Sequence, residues 1–178
     1  GMSSAASDVY KRQLLIHALL FEKSTFLNKW SKKLPINKSG NSYLNFIASH
    51  DGIGMRPVEG ILSENDLNNF LKRLKKNGSK FSYRKIQNKF KKVYEANITI
   101  FNALKKSDFD QNGNFFLERY ITAHSIMISF EGVPALYFNS LFGTSNDEAK
   151  FVITGNKRDV NRYKWNKVKL DRFLKDKR

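Results

Sequence analysis

Residues 45–62 read NFIASHDGIGMRPVEGIL, and their reading decides the fold. Residues 43–49 are apolar, β-branched or aromatic enough to form a buried strand. The strand ends at His50 and Asp51, and Gly52 follows at once, so the chain turns there. An ionisable pair at the carboxyl end of a buried strand, on a glycine turn, sits where parallel barrels carry their catalytic groups. Taken alone, Asp51-Gly52 reads equally well as a tight turn with a local aspartate hydrogen bond.

A chain of 178 residues with 40% hydrophobic residues can bury one core, so one domain is expected. A whole (β/α)8 barrel needs at least about 200 residues and typically about 250, so this chain can hold only part of one. There is no cysteine, which removes disulfides and thiolate metal sites, and no metal site is expected. No run of about 18 apolar residues occurs, so no helix is expected to span a membrane. Residues 14–21 are apolar but short and lack a small-residue cleavage site, and a cytoplasmic location is expected. Net charge is +16, from 32 Lys and Arg against 16 Asp and Glu. Such an excess raises nucleic acid as an alternative partner. The lysines, however, are spread over helices that read as exposed, so a solvated surface is the reading adopted and no nucleic acid is expected.

Gly1 looks like a cloning remnant, and residues 2–13 (MSSAASDVYKRQ) show neither helical nor strand periodicity. The run looks like translated adapter sequence joined to the native chain near Leu14, so residues 1–13 are expected to be a non-native or disordered leader. Residues 14–20 read as a helix, and residues 24–34 as a second with Phe26, Leu27, Trp30 and Leu34 on one face. Pro35 stops it, and residues 37–41 read as a loop. After the glycine turn, Ser63 is a good N-cap for a helix to about Lys76, with a core stripe of Leu67, Phe70, Leu71 and Leu74.

Residues 80–93 (KFSYRKIQNKFKKV) interleave Lys and Arg with Phe and Tyr; a strand with its loop over a barrel rim is preferred to a phosphate surface. Residues 98–104 could begin a helix or form a strand, and 107–114 read as a polar loop. The strongest helix is 115–130, with Leu117, Tyr120, Ile121, His124, Met127 and Ile128 on one face and Gly132 as its stop. His17 and His124 lie in apolar runs and read as packed, hydrogen-bonded core histidines. Residues 133–138 form a short apolar strand, and a helix between two buried strands is the unit of a parallel sheet. A loop at 141–147 follows, and 164–178 read as a last amphipathic helix with Trp165, Val168, Leu170, Phe173 and Leu174.

Phe46-Ile-Ala-Ser-His50-Asp51 resembles the last signature region of the α-amylase superfamily (glycoside hydrolase family 13), in which a His-Asp pair closes barrel strand seven. Gly52-Ile-Gly-Met-Arg56-Pro-Val-Glu-Gly60 narrows the resemblance to the sucrose phosphorylase subfamily, and its Arg-Pro looks most like the glucosylglycerate phosphorylase branch. The series continues in order. Leu14-Leu-Ile-His17-Ala-Leu-Leu resembles the helix before strand seven, Tyr94-Glu-Ala-Asn97-Ile-Thr the acceptor-side loop, and Gly132-Val-Pro134-Ala-Leu-Tyr137-Phe the eighth strand. Asn146-Asp147 and Asn161-Arg162 resemble motifs of the segment after it.

The resemblance implies an α/β fold, the carboxyl-terminal portion of a (β/α)8 barrel with strands seven and eight and their helices. It would occupy residues 14–163, with the tail helix at 164–178 and further native chain upstream. It also implies a retaining α-glucosyl phosphorylase that moves glucose between an α-glucoside, glucosylglycerate or sucrose, and inorganic phosphate. Phosphate is a co-substrate, and no cofactor is needed. A hydrolase of the same superfamily is the alternative.

Retaining glycoside chemistry uses a nucleophilic carboxylate and an acid, and a third carboxylate can grip sugar hydroxyls in the flattened transition state. Asp51 is expected in that third role, with His50 donating to the same sugar edge. No segment before Asn45 resembles the nucleophile or acid regions, so the chain is expected to be inactive alone. Arg56 could pair with phosphate or a glycerate carboxylate, or be a rim arginine. Glu95 falls where the acceptor loop would be, although a solvent-facing glutamate is the plainer reading. The family carries a basic residue just before Thr-Gly, whereas Val152 and Ile153 precede Thr154-Gly155 here. A truncated remnant that exposes apolar barrel edges is a further alternative.

Overall fold

A computed structural model describes residues 4–36, 40, 42–86 and 90–176. Helices α1 (Ser4–Phe21) and α2 (Thr25–Ser31) open the chain, followed by the short strands β1 (Leu44–Asn45) and β2 (Ile53–Gly54). A 3-10 turn at Arg56–Val58 leads to α3 (Glu64–Lys76), then to the strands β3 (Lys80–Ile86) and β4 (Phe90–Asn97) and the single turn of α4 (Ile100–Ala103). Helix α5 (Phe116–Ser129), strand β5 (Val133–Pro134), helices α6 (Phe138–Leu141) and α7 (Glu148–Thr154), a 3-10 turn at Lys157–Asn161 and α8 (Lys167–Lys175) complete it. The loop expected at 37–41 lies outside the described residues except for Gly40.

β1 and β5 pair in parallel, Leu44 opposite Val133 and Asn45 opposite Pro134, with α5 on the path between them. This is the strand–helix–strand unit of a (β/α)8 barrel, and the α/β fold is a portion of such a barrel. Gly132 makes the pairing possible. Its φ of +128° suits glycine, and a Cβ there would run into the Tyr43 carbonyl, which instead accepts from Val133 N at 2.8 Å. Asn45, fully buried, donates to the carbonyls of Phe130 and Glu131 at 3.0 Å and so ties β1 to the end of α5.

Both strands are shorter than the sequence suggests, because each finds a ladder partner over two residues only. Val133 and Leu136 are about half exposed rather than buried. Between β1 and α5 a separate antiparallel sheet is inserted, in the order β2-β4-β3. Its β3–β4 hairpin is the strand and loop expected at 80–93, with Gln87–Lys89 outside the described residues. Residues 98–104 settle as the helical turn α4, capped by Thr99, whose side chain accepts from Asn102 N.

One continuous core joins α1, α2, the stretch 47–62, α3, the 96–104 segment and α5. In α3, Ser63 caps by accepting from Asp66 N at 3.1 Å, and Leu67, Phe70 and Leu74 are buried as the stripe requires. Each such fully buried side chain contributes about 1.5–3 kcal/mol relative to exposure. His17 is packed, with its ring centroid 4.8–5.7 Å from those of Phe21, Phe26 and Phe70, but its Nδ1 has no hydrogen-bond partner among the described residues.

Helix α1 begins at Ser4, so residues 4–13 of the expected leader are helical and continuous with the helix read at 14–20. Lys11 and Gln13 are buried, and Gln13 donates to the Gly54 carbonyl at 2.7 Å. Arg12 and Gln13 are placed by bonds to the carbonyls of Gly52 and Gly54, 40 and 41 residues away, and such bonds leave no apolar stripe to read. Helices α6 and α7 occupy stretches expected as loop or left unassigned, and both are too short to show a period.

Candidate functional site

His50 and Asp51 lie on the turn that follows the β1 segment, and their side chains are 66% and 42% exposed. The Asp51 N–H donates to Ser49 Oγ at 3.3 Å, so the local turn bond is made by the Ser49 hydroxyl and not by the aspartate side chain. His50 Nε2 stands 3.6 Å from Asp51 Oδ2. The other oxygen, Oδ1, is held by two guanidinium groups, Arg158 Nη1 at 3.2 Å and Arg162 Nη2 at 3.1 Å.

The turn is clamped from behind. Asn161 Nδ2 donates to the carbonyls of Ser49 at 2.6 Å and Asp51 at 3.0 Å, and Arg162 Nε donates to the His50 carbonyl at 3.0 Å. From the opposite side, Arg12 Nη2 donates to the Gly52 carbonyl at 2.6 Å, and burial pulls the Arg12 guanidinium down to about 10 despite Glu95 and Asp51 nearby. The residues of the Asn161-Arg162 motif thus act directly on the turn. Asn146 works farther off: its Oδ1 accepts from Thr99 N, its Nδ2 donates to the Gly78 carbonyl and its backbone N–H donates to Asn102 Oδ1, while Asp147 caps α7 by accepting from Lys150 N.

Glu95 is not solvent-facing: the residue is 5% exposed, on the central strand β4 opposite Gly54 and Ser82. Its two carboxylate oxygens accept from Arg158 Nε at 3.1 Å and Nη2 at 2.9 Å. That bidentate bond, followed by the charge of Glu95 itself, holds the Arg158 guanidinium above its ordinary pKa. Glu95 is therefore brought to Asp51 through Arg158. Arg56 is exposed on its 3-10 turn, and its side chain makes no polar contact among the described residues.

Sequence reasoning missed Arg158. Val152 and Ile153, where a basic residue was sought, are 79% and 83% exposed, and the guanidinium groups that meet Asp51 are those of Arg158 and Arg162. The available signal was the density of K-R-D-V-N-R around the matched Asn161-Arg162. Among the described residues no group of three or more His, Cys, Asp or Glu could hold a metal ion.

No protein-family model matches the chain. It is 32% identical over 163 residues to the glucosylglycerate phosphorylase of Escherichia coli (strain K12), which covers 92% of this chain and 29% of that protein. It is 25% identical over 171 residues to the sucrose phosphorylase of Agrobacterium vitis, covering 90% of the chain and 32% of the relative. The crystal structure of the sucrose 6F-phosphate phosphorylase from Thermoanaerobacter thermosaccharolyticum matches with a TM-score of 0.78 at 20% identity, over 96% of this chain and 33% of that one. The chain is thus similar, along nearly its whole length, to a segment of the glucosylglycerate and sucrose phosphorylases, and it spans about a third of their length.

Proposed function

We propose that this chain is a segment of a retaining α-glucosyl phosphorylase and carries one edge of its glucosyl site. The observation that carries the proposal is the similarity to phosphorylases over 92% of the chain, with His50 and Asp51 on one exposed turn inside the similar stretch. Asp51 is the carboxylate that grips sugar hydroxyls, through the Oδ2 edge beside His50. Such a grip is worth most when it tightens as the ring flattens towards the oxocarbenium-like transition state. His50 donates to the same sugar edge. Arg56, exposed and uncommitted among the described residues, is the acceptor-side cation for phosphate or a glycerate carboxylate.

The substrates are an α-glucoside, glucosylglycerate before sucrose, and inorganic phosphate, with no metal or organic cofactor. Bond cleavage with retention needs a nucleophilic carboxylate and an acid, and neither role falls to a residue of this chain, so the chain by itself is inactive. Among the described residues no helix is long and apolar enough to cross a membrane.

The experiment is a graft. The matched 163-residue segment of the E. coli glucosylglycerate phosphorylase is replaced by the corresponding segment of this chain, and glycerate release is followed with and without phosphate. Phosphate-dependent release, falling by about 100-fold or more in Asp51→Asn as a transition-state contact is lost, is the expected outcome. A folded graft that releases nothing from either glucoside refutes the proposal, and phosphate-independent release moves the chain to the hydrolases.

A further inference from the structure

Arg158 touches two carboxylates of very different standing. Glu95 has a side chain 7% exposed and offers both oxygens to Nε and Nη2 at 3.1 and 2.9 Å. Asp51 has a side chain 42% exposed and meets Nη1 once, at 3.2 Å. Paired charge-assisted bonds in a fork are stronger than a single one, and the carboxylate that Arg158 meets twice is also the more buried and less screened of the two. Glu95 is also the more rigidly held, since β4 is bonded on both sides, to β2 and to β3. The order of dependence follows: Glu95 sets the guanidinium, and the guanidinium sets Asp51.

We propose that Glu95 is a positioning residue that fixes Arg158 so that Arg158 and Arg162 together hold Oδ1 of Asp51 and present Oδ2 to the substrate beside His50. The functional half of this statement rests on Asp51 being the sugar-gripping carboxylate. The 157–161 turn is also attached elsewhere: Lys157 Nζ lies 5.7 Å from the centroid of the Tyr83 ring on β3, and further bonds join the turn to its neighbouring loops. Asn161 ties that turn to the carbonyls of Ser49 and Asp51, Asp147 N donates to the Val160 carbonyl at 2.8 Å, and Lys150 lies 3.4 Å from Asp159. What Glu95 adds is the orientation of one guanidinium. In this arrangement Glu95 is not free to contact an acceptor, and an acceptor that needs a new cation must draw Arg158 away from it.

The test reads geometry in the 178-residue chain. In isotope-labelled protein, NMR correlations across hydrogen bonds from the arginine side-chain nitrogens identify which carboxyl carbons each guanidinium meets. Glu95→Gln is expected to remove the Arg158–Asp51 correlation while Arg162–Asp51 and the Asn161 bonds persist. Asp51→Asn is expected to leave Arg158–Glu95 intact. Persistence of Arg158–Asp51 in Glu95→Gln, or release of Arg158 from Glu95 in Asp51→Asn, overturns the proposal. If Glu95→Gln fails to fold, Arg158→Lys replaces it: the single ammonium is expected on Glu95, and its appearance on Asp51 overturns the order.

The graft supplies the second readout. Glu95→Gln is expected to lower kcat about 10-fold with little change in KM, with part of the loss recovered in Glu95→Asp. An unchanged kcat overturns the positioning role. Inactivity of the graft with Glu95 in place counts against the phosphorylase reading alone, because the NMR arm judges the Glu95–Arg158 order without any activity.

Discussion

Gly52 has no room for a side chain. A Cβ there would lie 2.7 Å from Glu95 Cγ, 2.8 Å from Asn97 Oδ1 and 2.9 Å from the Ala96 carbonyl oxygen. All three neighbours belong to β4, the strand whose Glu95 anchors Arg158, so the His50-Asp51 turn and that anchor are pressed together at one residue. Gly52→Ala is expected to cost about 1–3 kcal/mol by overpacking, measured as a shift of the urea unfolding midpoint at unchanged slope. His17 makes a different prediction. Burial among three phenylalanine rings, opposed by the charge of Asp66 and aided by Lys23, pushes its imidazole down to about 4. The folded chain then refuses a proton that the unfolded chain accepts below its usual value near 6.5. Stability is therefore complete at neutral pH and falls as pH drops from about 6.5 towards 4. In His17→Leu the melting temperature is expected to lose its slope in that window; a slope equal to that of the parent chain would refute the assignment.

At the scale of elements, α5 is started by a loop and not by its own cap. Phe115 offers no side-chain cap, and Asp110 instead accepts from the N–H groups of Gly113 at 2.9 Å, Asn114 at 2.8 Å and Phe115 at 2.9 Å. Arg119, one turn into α5, closes the arrangement with Nη1 at 2.8 Å. Burial alone would raise the Asp110 pKa, but the Phe115 N–H, Arg119 and the Asn114 N–H outweigh it and bring it down to about 2. A depressed carboxylate stabilises the fold above its unfolded value and loses that contribution as pH falls towards 2. Asp110→Asn should melt below the parent chain at neutral pH, and the two melting curves should converge on acidification to about pH 2. Curves that stay apart at that pH would mean the variant acts by another route. The polar loop at 107–114 was legible as a loop, whereas its service to α5 depends on a carboxylate folding back over three successive amides.

Across the whole molecule, apolar surface stays open on α5. Leu117, Ile121 and Ile128 of α5 are 58%, 55% and 52% exposed, on the same helix whose Tyr120, Ala123 and Met127 are buried. The broad apolar face expected at 115–130 is real, and only half of it is covered. A patch of this kind associates in water. Sedimentation of the chain should show mass rising with concentration, and Ile121→Glu should suppress the rise; a monomer at every concentration would refute this. By itself the sequence determined the turn at His50-Asp51-Gly52, the capped helix α3, the extent of α5 to within a residue, and the parallel strand–helix–strand unit. These follow from periods, caps and glycines that act over a few residues. The tertiary structure alone decided that Glu95 is buried, that Arg158 joins it to Asp51, and that the early part of α1 is helical. Arg158 and Glu95 are 63 positions apart, Arg158 and Asp51 farther still, and Arg12 meets the Gly52 carbonyl across 40. Bonds between polar side chains so distant leave no period in the chain; only the packing that brings the strands, turns and helices together selects which arginine meets which carboxylate.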